Sequence, residues 1–244
     1  MNLAWAASGA IIGWMAGVTL RGAVFRLSVP GGTPDRVDCP CCAAPLRPWP
    51  ASRCRYCGHT PGTPVALELA TAAVLALLFG RLGGQPVTLA FGFLGALGVA
   101  LAAIDIGVQR LPDRLTLPAY PVLIMLLAGA ALIGHDMTAL VRALLGGLAL
   151  AAGYLVLGIA ARGQLGGGDI KLAGLVGLVL AWLGWPALIS GAILGFVLSA
   201  LASLALLAAR RVTMHSAISF GPFLLGGALI AVLASGGPAG SPFP

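Results

Sequence analysis

Apolar runs of membrane-spanning length recur along nearly the whole chain, and nothing constrains its folding more. A helix in hydrocarbon needs about 20 mostly apolar residues, because every backbone N–H and C=O must be satisfied inside the segment. Eight windows meet that demand, at roughly 3–20, 64–80, 86–104, 116–134, 139–161, 171–184, 186–208 and 219–236. The sixth, which stops near Trp185-Pro186, is expected to be the shortest. Only 9% of the 244 residues are charged and the mean hydropathy is +1.00, against roughly 25% charged in soluble domains. The expected fold class is an all-α membrane protein, a polytopic bundle of about eight transmembrane helices. No stretch pairs a short apolar core with a small-residue cleavage site, so residues 1–25 are expected to be a retained first span.

Placement of charge matters more here than its sum of +7. In a soluble protein such a surplus would favour nucleic acid, whereas in a membrane chain it sets orientation, with lipid and not nucleic acid as the expected surroundings. With eight spans, Arg21, Arg26, Arg36, Arg47, Arg53, Arg55, Arg110, Arg114, Arg162, Lys171, Arg210 and Arg211 fall on one side. Only Arg81 and Arg142 fall toward the other. Cytoplasmic loops are the ones enriched in Lys and Arg. Both termini are therefore expected outside the cytoplasm and the odd-numbered connections inside.

One segment breaks the apolar pattern. Residues 26–63 are rich in Pro, Arg and Cys and hold all five cysteines, as Cys39-x-x-Cys42 and Cys54-x-x-Cys57 with Cys41 between. A module this small cannot build a sufficient apolar core and needs a staple. Two such pairs suit a tetrahedral zinc ion held by four thiolates. The rivals are two disulfides, which a reducing cytoplasm disfavours, and a reactive cysteine, for which no His and acid partners stand out. His59 sits near enough to replace one thiolate or to be a plain surface residue. The expected organisation is a first helix over 1–25, a cytoplasmic zinc-binding insert over 26–63, a catalytic transmembrane bundle over 64–236 and a tail over 237–244.

Ionisable side chains in or beside hydrocarbon cost a few kcal/mol, which makes them functional-site candidates. Of the seven acids, Asp35 and Asp38 lie in the insert and Asp136 in an outer turn, where solvated or capping roles suffice. Asp113 follows Pro112 and reads as a helix cap. Glu68, in "PVALELA", reads first as a hydrogen-bonding group between helices and second as a neighbour of the active site. Asp105 ends the third span and Asp169 begins the sixth, so by this topology both reach the cytoplasmic face at one depth. Two carboxylates brought together in a low-dielectric site share one proton, one acting as base and the other as acid. Such a pair activates water against a peptide carbonyl.

Asp169 follows Gly166, Gly167 and Gly168, which would let a substrate backbone approach closely. The glycines do not make a phosphate loop, because "GGGDIKL" lacks the Gly-Lys-Ser/Thr ending. On its own, Asp169 could merely cap the sixth helix, with Lys171 extended to the interface.

The stretch "GQLGGGDIKL" resembles the Gly-x-Gly-Asp motif of intramembrane aspartic proteases. "IDIGVQRLPDRLTLP" looks like the first aspartate motif of the type IV prepilin peptidases, and the two cysteine knuckles followed by "PVALELA" are similar to that family's cytoplasmic zinc insert and its sequel. The resemblance extends from about residue 13 to 236. It implies an enzyme of the bacterial inner membrane that removes the leader from prepilin or pseudopilin precursors, with Asp105 and Asp169 as catalytic residues. It also implies N-methylation of the new amino terminus from S-adenosylmethionine. Two features depart from the family pattern: the insert is trimmed, and "GVTLRGAVFRL" puts Val18 and Arg21 where Ser and Asn are usual, in the segment that bears on methyl transfer. Readings from other classes are an ion-coupled transporter, which would need its acids near the bilayer midplane, and a non-catalytic pilus or secretion assembly factor.

Overall fold

The computed structural model describes residues 2–46, 53–62, 65–160, 166–210 and 219–235. Arg47, Arg162, Arg211 and the tail 237–244 lie outside them. Among the described residues there are eight α-helices: α1 (Leu3–Leu27), α2 (Ala66–Leu82), α3 (Thr88–Val108), α4 (Asp113–Gly134), α5 (Met137–Ala160), α6 (Gly167–Leu183), α7 (Trp185–Ala208) and α8 (Gly221–Ala234). Each apolar window of the sequence holds one of them. Five, α1, α3, α4, α5 and α7, are long and apolar enough to cross a membrane. The other three are shorter, with α2 and α6 at 17 residues each.

The shortest helix is α8, with 14 residues, not the sixth. The difference arises at the glycines, which join α6 rather than precede it: Gly166 is extended at the N-cap and the helix starts at Gly167. Asp169 then falls in the first turn, where a carboxylate favours helix by opposing the positive end of the macrodipole. At the other end of the chain α1 runs past its window to Leu27, taking Arg21 and Arg26 into the helix.

The chain divides into two compact units, Met1–Pro112 and Asp113–Pro244. In the first, α1 lies along α2 through Gly9, Gly13 and Gly17, spaced four apart on one face. A Cβ at Gly13 would collide with the Thr71 carbonyl, and one at Gly17 with Thr71 Oγ1 and the Glu68 backbone. Small residues at such spacing let membrane helices approach to backbone contact. Helix α3 closes the unit, and Gly92 leaves room there for the Phe79 ring.

In the second unit α6 is the centre. Every residue from Leu172 to Ala181 is buried. A helix apolar and buried around its whole circumference is an interior helix rather than an amphipathic one. Helices α4, α5, α7 and α8 all pack against it. The closest seam is with α5, where Gly146 and Gly147 face Gly177 and Gly174. Gly191 and Gly195 of α7 play the same part against α8.

Candidate active site and metal centre

The cysteine module forms two turns of matching geometry. In the first, the Ala43 amide donates to the Cys39 carbonyl and the Cys39 amide to the Ala44 carbonyl, both at 2.9 Å. In the second, the Gly58 amide donates to the Cys54 carbonyl (3.0 Å) and the Cys54 amide to the His59 carbonyl (2.8 Å). Ala43 and Gly58 occupy the same left-handed position, with φ of 56° and 71°. These turns aim Cys39, Cys42, Cys54 and Cys57 at one point, their sulfurs all within 4.8 Å of one another. Cys39 and Cys57 Sγ are 3.6 Å apart, as are Cys42 and Cys54.

A disulfide needs about 2.05 Å, and the five cysteines are free thiols. Four sulfurs about 2.3 Å from a tetrahedral ion stand about 3.8 Å from each other. The donor set thus fits one metal ion. Hydrogen bonds from the backbone amides of Cys57 and Tyr56 draw the Cys54 thiol below its ordinary value, while desolvation and the neighbouring thiols push that of Cys42 up. Cys41 stays outside the cluster and His59 adds only its carbonyl to the second turn. Arg26 Nη2 donates to the Leu46 carbonyl at 2.9 Å and Arg36 stacks on Phe25, fastening the module to the end of α1.

Asp105 lies in the last turn of α3 with 5% of its surface exposed, and its carbonyl accepts from the Gln109 amide at 2.8 Å. Gln109 itself turns left-handed (φ 50°) and ends the helix. Asp169 is half-buried in the first turn of α6, its amide donating to the Gly166 carbonyl at 3.0 Å. Gly166 and Gly167 are exposed beside it, so backbone there is open to approach. Asp105 belongs to the first compact unit and Asp169 to the second.

Lys171 pairs with Asp113 through an Nζ to Oδ1 bond of 2.6 Å. The backbone around Asp169 is held from α4 as well, where the Tyr120 hydroxyl donates to the Lys171 carbonyl at 2.7 Å over the space left by Gly174. Glu68 is completely buried in the α1–α2 seam and forms an ion pair with Arg21. The residue that departs from the family pattern at position 21 is therefore the counterion of the acid in "PVALELA". A cavity of about 430 Å³ lies next to it between α1, α2 and α3, with Arg21, Arg36 and Ser28 as its polar edge.

Two further polar groups have contacts that the sequence reading did not assign. Arg142 of α5 donates from Nε and Nη2 to the Ala181 and Trp182 carbonyls at 2.7 and 2.6 Å, closing the C-terminal end of α6. Tyr154, also on α5, is buried with its hydroxyl unpartnered. Their only sequence signal was a polar side chain inside an apolar window.

Eight helices among the described residues, five of them long and apolar enough to cross a membrane, together with a four-cysteine cluster that could hold a metal ion, define a multi-pass helical membrane protein with a small cysteine-rich insert. The type IV leader peptidase family model matches residues 92–208, a stretch that includes both Asp105 and Asp169. The prepilin leader peptidase/N-methyltransferase of Burkholderia pseudomallei (strain 1026b) is 34% identical over 224 residues, covering 83% of this chain and 67% of that protein. The protein of that name from Dickeya chrysanthemi is 33% identical (82% and 76% covered), and that from Bacillus subtilis (strain 168) 30% identical (81% and 81%). No solved structure matches the chain. The chain belongs to the prepilin leader peptidase family.

Proposed function

We propose that this protein is an intramembrane aspartic endopeptidase that removes the leader from type IV prepilins or pseudopilins, with Asp105 and Asp169 as its catalytic pair. The observation that supports the pair best is the setting of Asp105, a carboxylate only 5% exposed in the closing turn of an apolar helix, inside the same family match as Asp169. One carboxylate takes a proton from water as the water attacks the scissile carbonyl, while the other gives its proton to the carbonyl oxygen; as the tetrahedral species collapses, the first passes its proton to the leaving amine and the second recovers its own. Gly166, Gly167 and Gly168 form the wall along which the substrate backbone lies, with Lys171 fixed beside it by Asp113. Glu68 holds the end of α1 to α2 through Arg21.

The orientation that goes with this reading puts both termini outside the cytoplasm of a bacterial inner membrane and the cysteine module inside. The catalytic part runs through residues 64–236 and the insert through 26–63. Zinc is the metal that suits four thiolates in a closed site, and its role there is to hold the fold.

S-adenosylmethionine is the methyl donor for the second step, methylation of the new amino terminus. It presents a carboxylate beside a sulfonium cation. The 430 Å³ cavity offers Arg21 and Arg36 to the carboxylate, but none of its described lining residues is an acid for the sulfonium. The cavity matches one half of the donor.

Co-expression with a prepilin, followed by mass spectrometry of the mature amino terminus, tests both steps at once. The parent chain should yield the shortened product, and the presence of the methyl mass decides the second activity. Asp105→Asn and Asp169→Asn should each abolish leader removal while the protein still inserts; cleavage retained by either variant rejects the pair. Replacing Cys39, Cys42, Cys54 and Cys57 by Ser should remove bound zinc and lower the folded amount, and unchanged zinc content in that variant rejects the four-thiolate site.

A further inference from the structure

The α5–α6 seam has a register that can be followed residue by residue. Arg142 Nε bonds the Ala181 carbonyl, and four residues along α5 Gly146 meets Gly177, four residues back along α6. Two more steps of four on each antiparallel helix bring Tyr154 level with Asp169.

Around that phenol the packing is apolar. The Tyr154 ring stacks on Phe196 of α7 at 5.4 Å between centroids and leans on Phe220, just before α8, at 5.8 Å; the two phenylalanines are 5.2 Å apart. Tyr154 is 2% exposed and its hydroxyl has no hydrogen-bond partner among the described residues. A phenylalanine would complete this three-ring cluster without stranding a buried hydroxyl, which costs stability. A hydroxyl kept under those terms needs a partner in another state of the site.

We propose that Tyr154 is a positioning residue for Asp169: its O–H donates to the ionised Asp169 carboxylate once that side chain swings from its half-exposed position onto the seam to meet substrate. This rests on Asp169 being catalytic. Among the described residues around α6, four ionisable groups are engaged with other partners. Lys171 and Asp113 are paired with each other, and Tyr120 of α4 is spent on the Lys171 carbonyl. Arg142 is engaged at the opposite end of α6, while α7 and α8 carry no ionisable side chain along their lengths. A bond to the charged form holds the carboxylate deprotonated and fixes its rotamer, so it acts in the step and not on substrate affinity.

The test is Tyr154→Phe in the full-length protein in membranes, assayed for leader cleavage across pH, beside Asp169→Asn. Tyr154→Phe should melt at the parent's temperature or higher, because it removes only an unpaired oxygen. Its kcat should fall roughly three- to thirtyfold with KM unchanged, a loss of about 0.65–2 kcal/mol. The acid limb of its pH–rate profile should move to higher pH, a change that a purely structural ring would not cause. Parental kcat and an unmoved acid limb in Tyr154→Phe, with Asp169→Asn inactive, overturn the inference and leave the aspartate assignment standing. Activity retained by Asp169→Asn overturns both. Tyr154→Leu separates the ring from the hydroxyl: if it lowers stability while Tyr154→Phe alone keeps the melt, the packing role belongs to the ring and the rate effect to the oxygen. Equal kinetic losses with equal loss of melt in both variants also overturn the proposal.

Discussion

The α1–α2 and α5–α6 seams are built alike and end differently. Gly9, Gly13 and Gly17 step along α1 in fours and the next step is Arg21; Arg142 and Gly146 step along α5 in fours and the stripe ends at Tyr154. In both, small residues bring backbones into contact and an arginine lies in line with them. The first arginine answers a buried carboxylate, Glu68. The second answers the free carbonyls at a helix end. Both seams leave buried polar atoms without a hydrogen bond among the described residues, Arg21 Nε and Glu68 Oε2 in the first and the Tyr154 hydroxyl in the second. The difference is that the first sets two opposite charges against each other, whereas the second ends on a neutral hydroxyl.

The sharpest way to break this contrast is to unpair the first seam. Arg21→Met leaves Glu68 buried without a counterion, and uncompensated buried charges typically cost about 3–5 kcal/mol. The variant should lose folded protein and melt well below the parent in detergent. Arg21→Met combined with Glu68→Leu should recover most of the loss, since an apolar pair of similar volume often replaces a buried ion pair at no net cost. If the double variant melts no higher than Arg21→Met alone, the pair is not the element that holds α1 to α2. The corresponding change in the second seam, Arg142→Met, removes two charge-assisted bonds to carbonyls but strands no charge. Its expected cost is smaller, about 1.5–3 kcal/mol, and Arg142→Lys should restore part of it. A larger loss for Arg142→Met than for Arg21→Met would invert the comparison.

Much of this architecture could be read from the chain because hydrocarbon imposes its length on every segment that crosses it. Each apolar window holds a helix, and the two Cys-x-x-Cys pairs converge because that spacing turns two thiolates to one side of a tight turn. The start of the sixth helix differs from its apolar window, which begins at 171: Gly167 and Gly168 are helical because the positive helix end and Asp169 together favour a first turn there. The cost of charge in a membrane correctly singled out Glu68, but could not pair it with Arg21, because that contact depends on how α1 lies along α2 and the glycine stripe alone does not fix which acid the next residue meets. The carbonyls that Arg142 meets and the burial of Tyr154 were hidden for the same reason. Both are set by the register of two helices packed side by side, and register is a property of the seam rather than of either sequence.

The smallest expected effect concerns where α5 starts, which sets that register. Asp136 stands in the turn before α5, and its Oδ1 accepts from the Thr138 hydroxyl at 2.7 Å and from the Ala139 amide at 2.9 Å, the bonds of an N-cap. The bond from Thr138, then that from Ala139, hold its carboxyl below the ordinary value. A carboxyl depressed in the folded state stabilises above its unfolded value and loses that contribution as pH falls through the folded one. Asp136→Ala should therefore cost about 1 kcal/mol at neutral pH, read as a lower melting temperature, and the gap from the parent should shrink as the medium is acidified. A gap that stays constant down to low pH would mean that the charge on Asp136 does not contribute. The start of α5 would then be set by the Gly146–Gly177 contact alone, and the second seam would fix its own register without help from its cap.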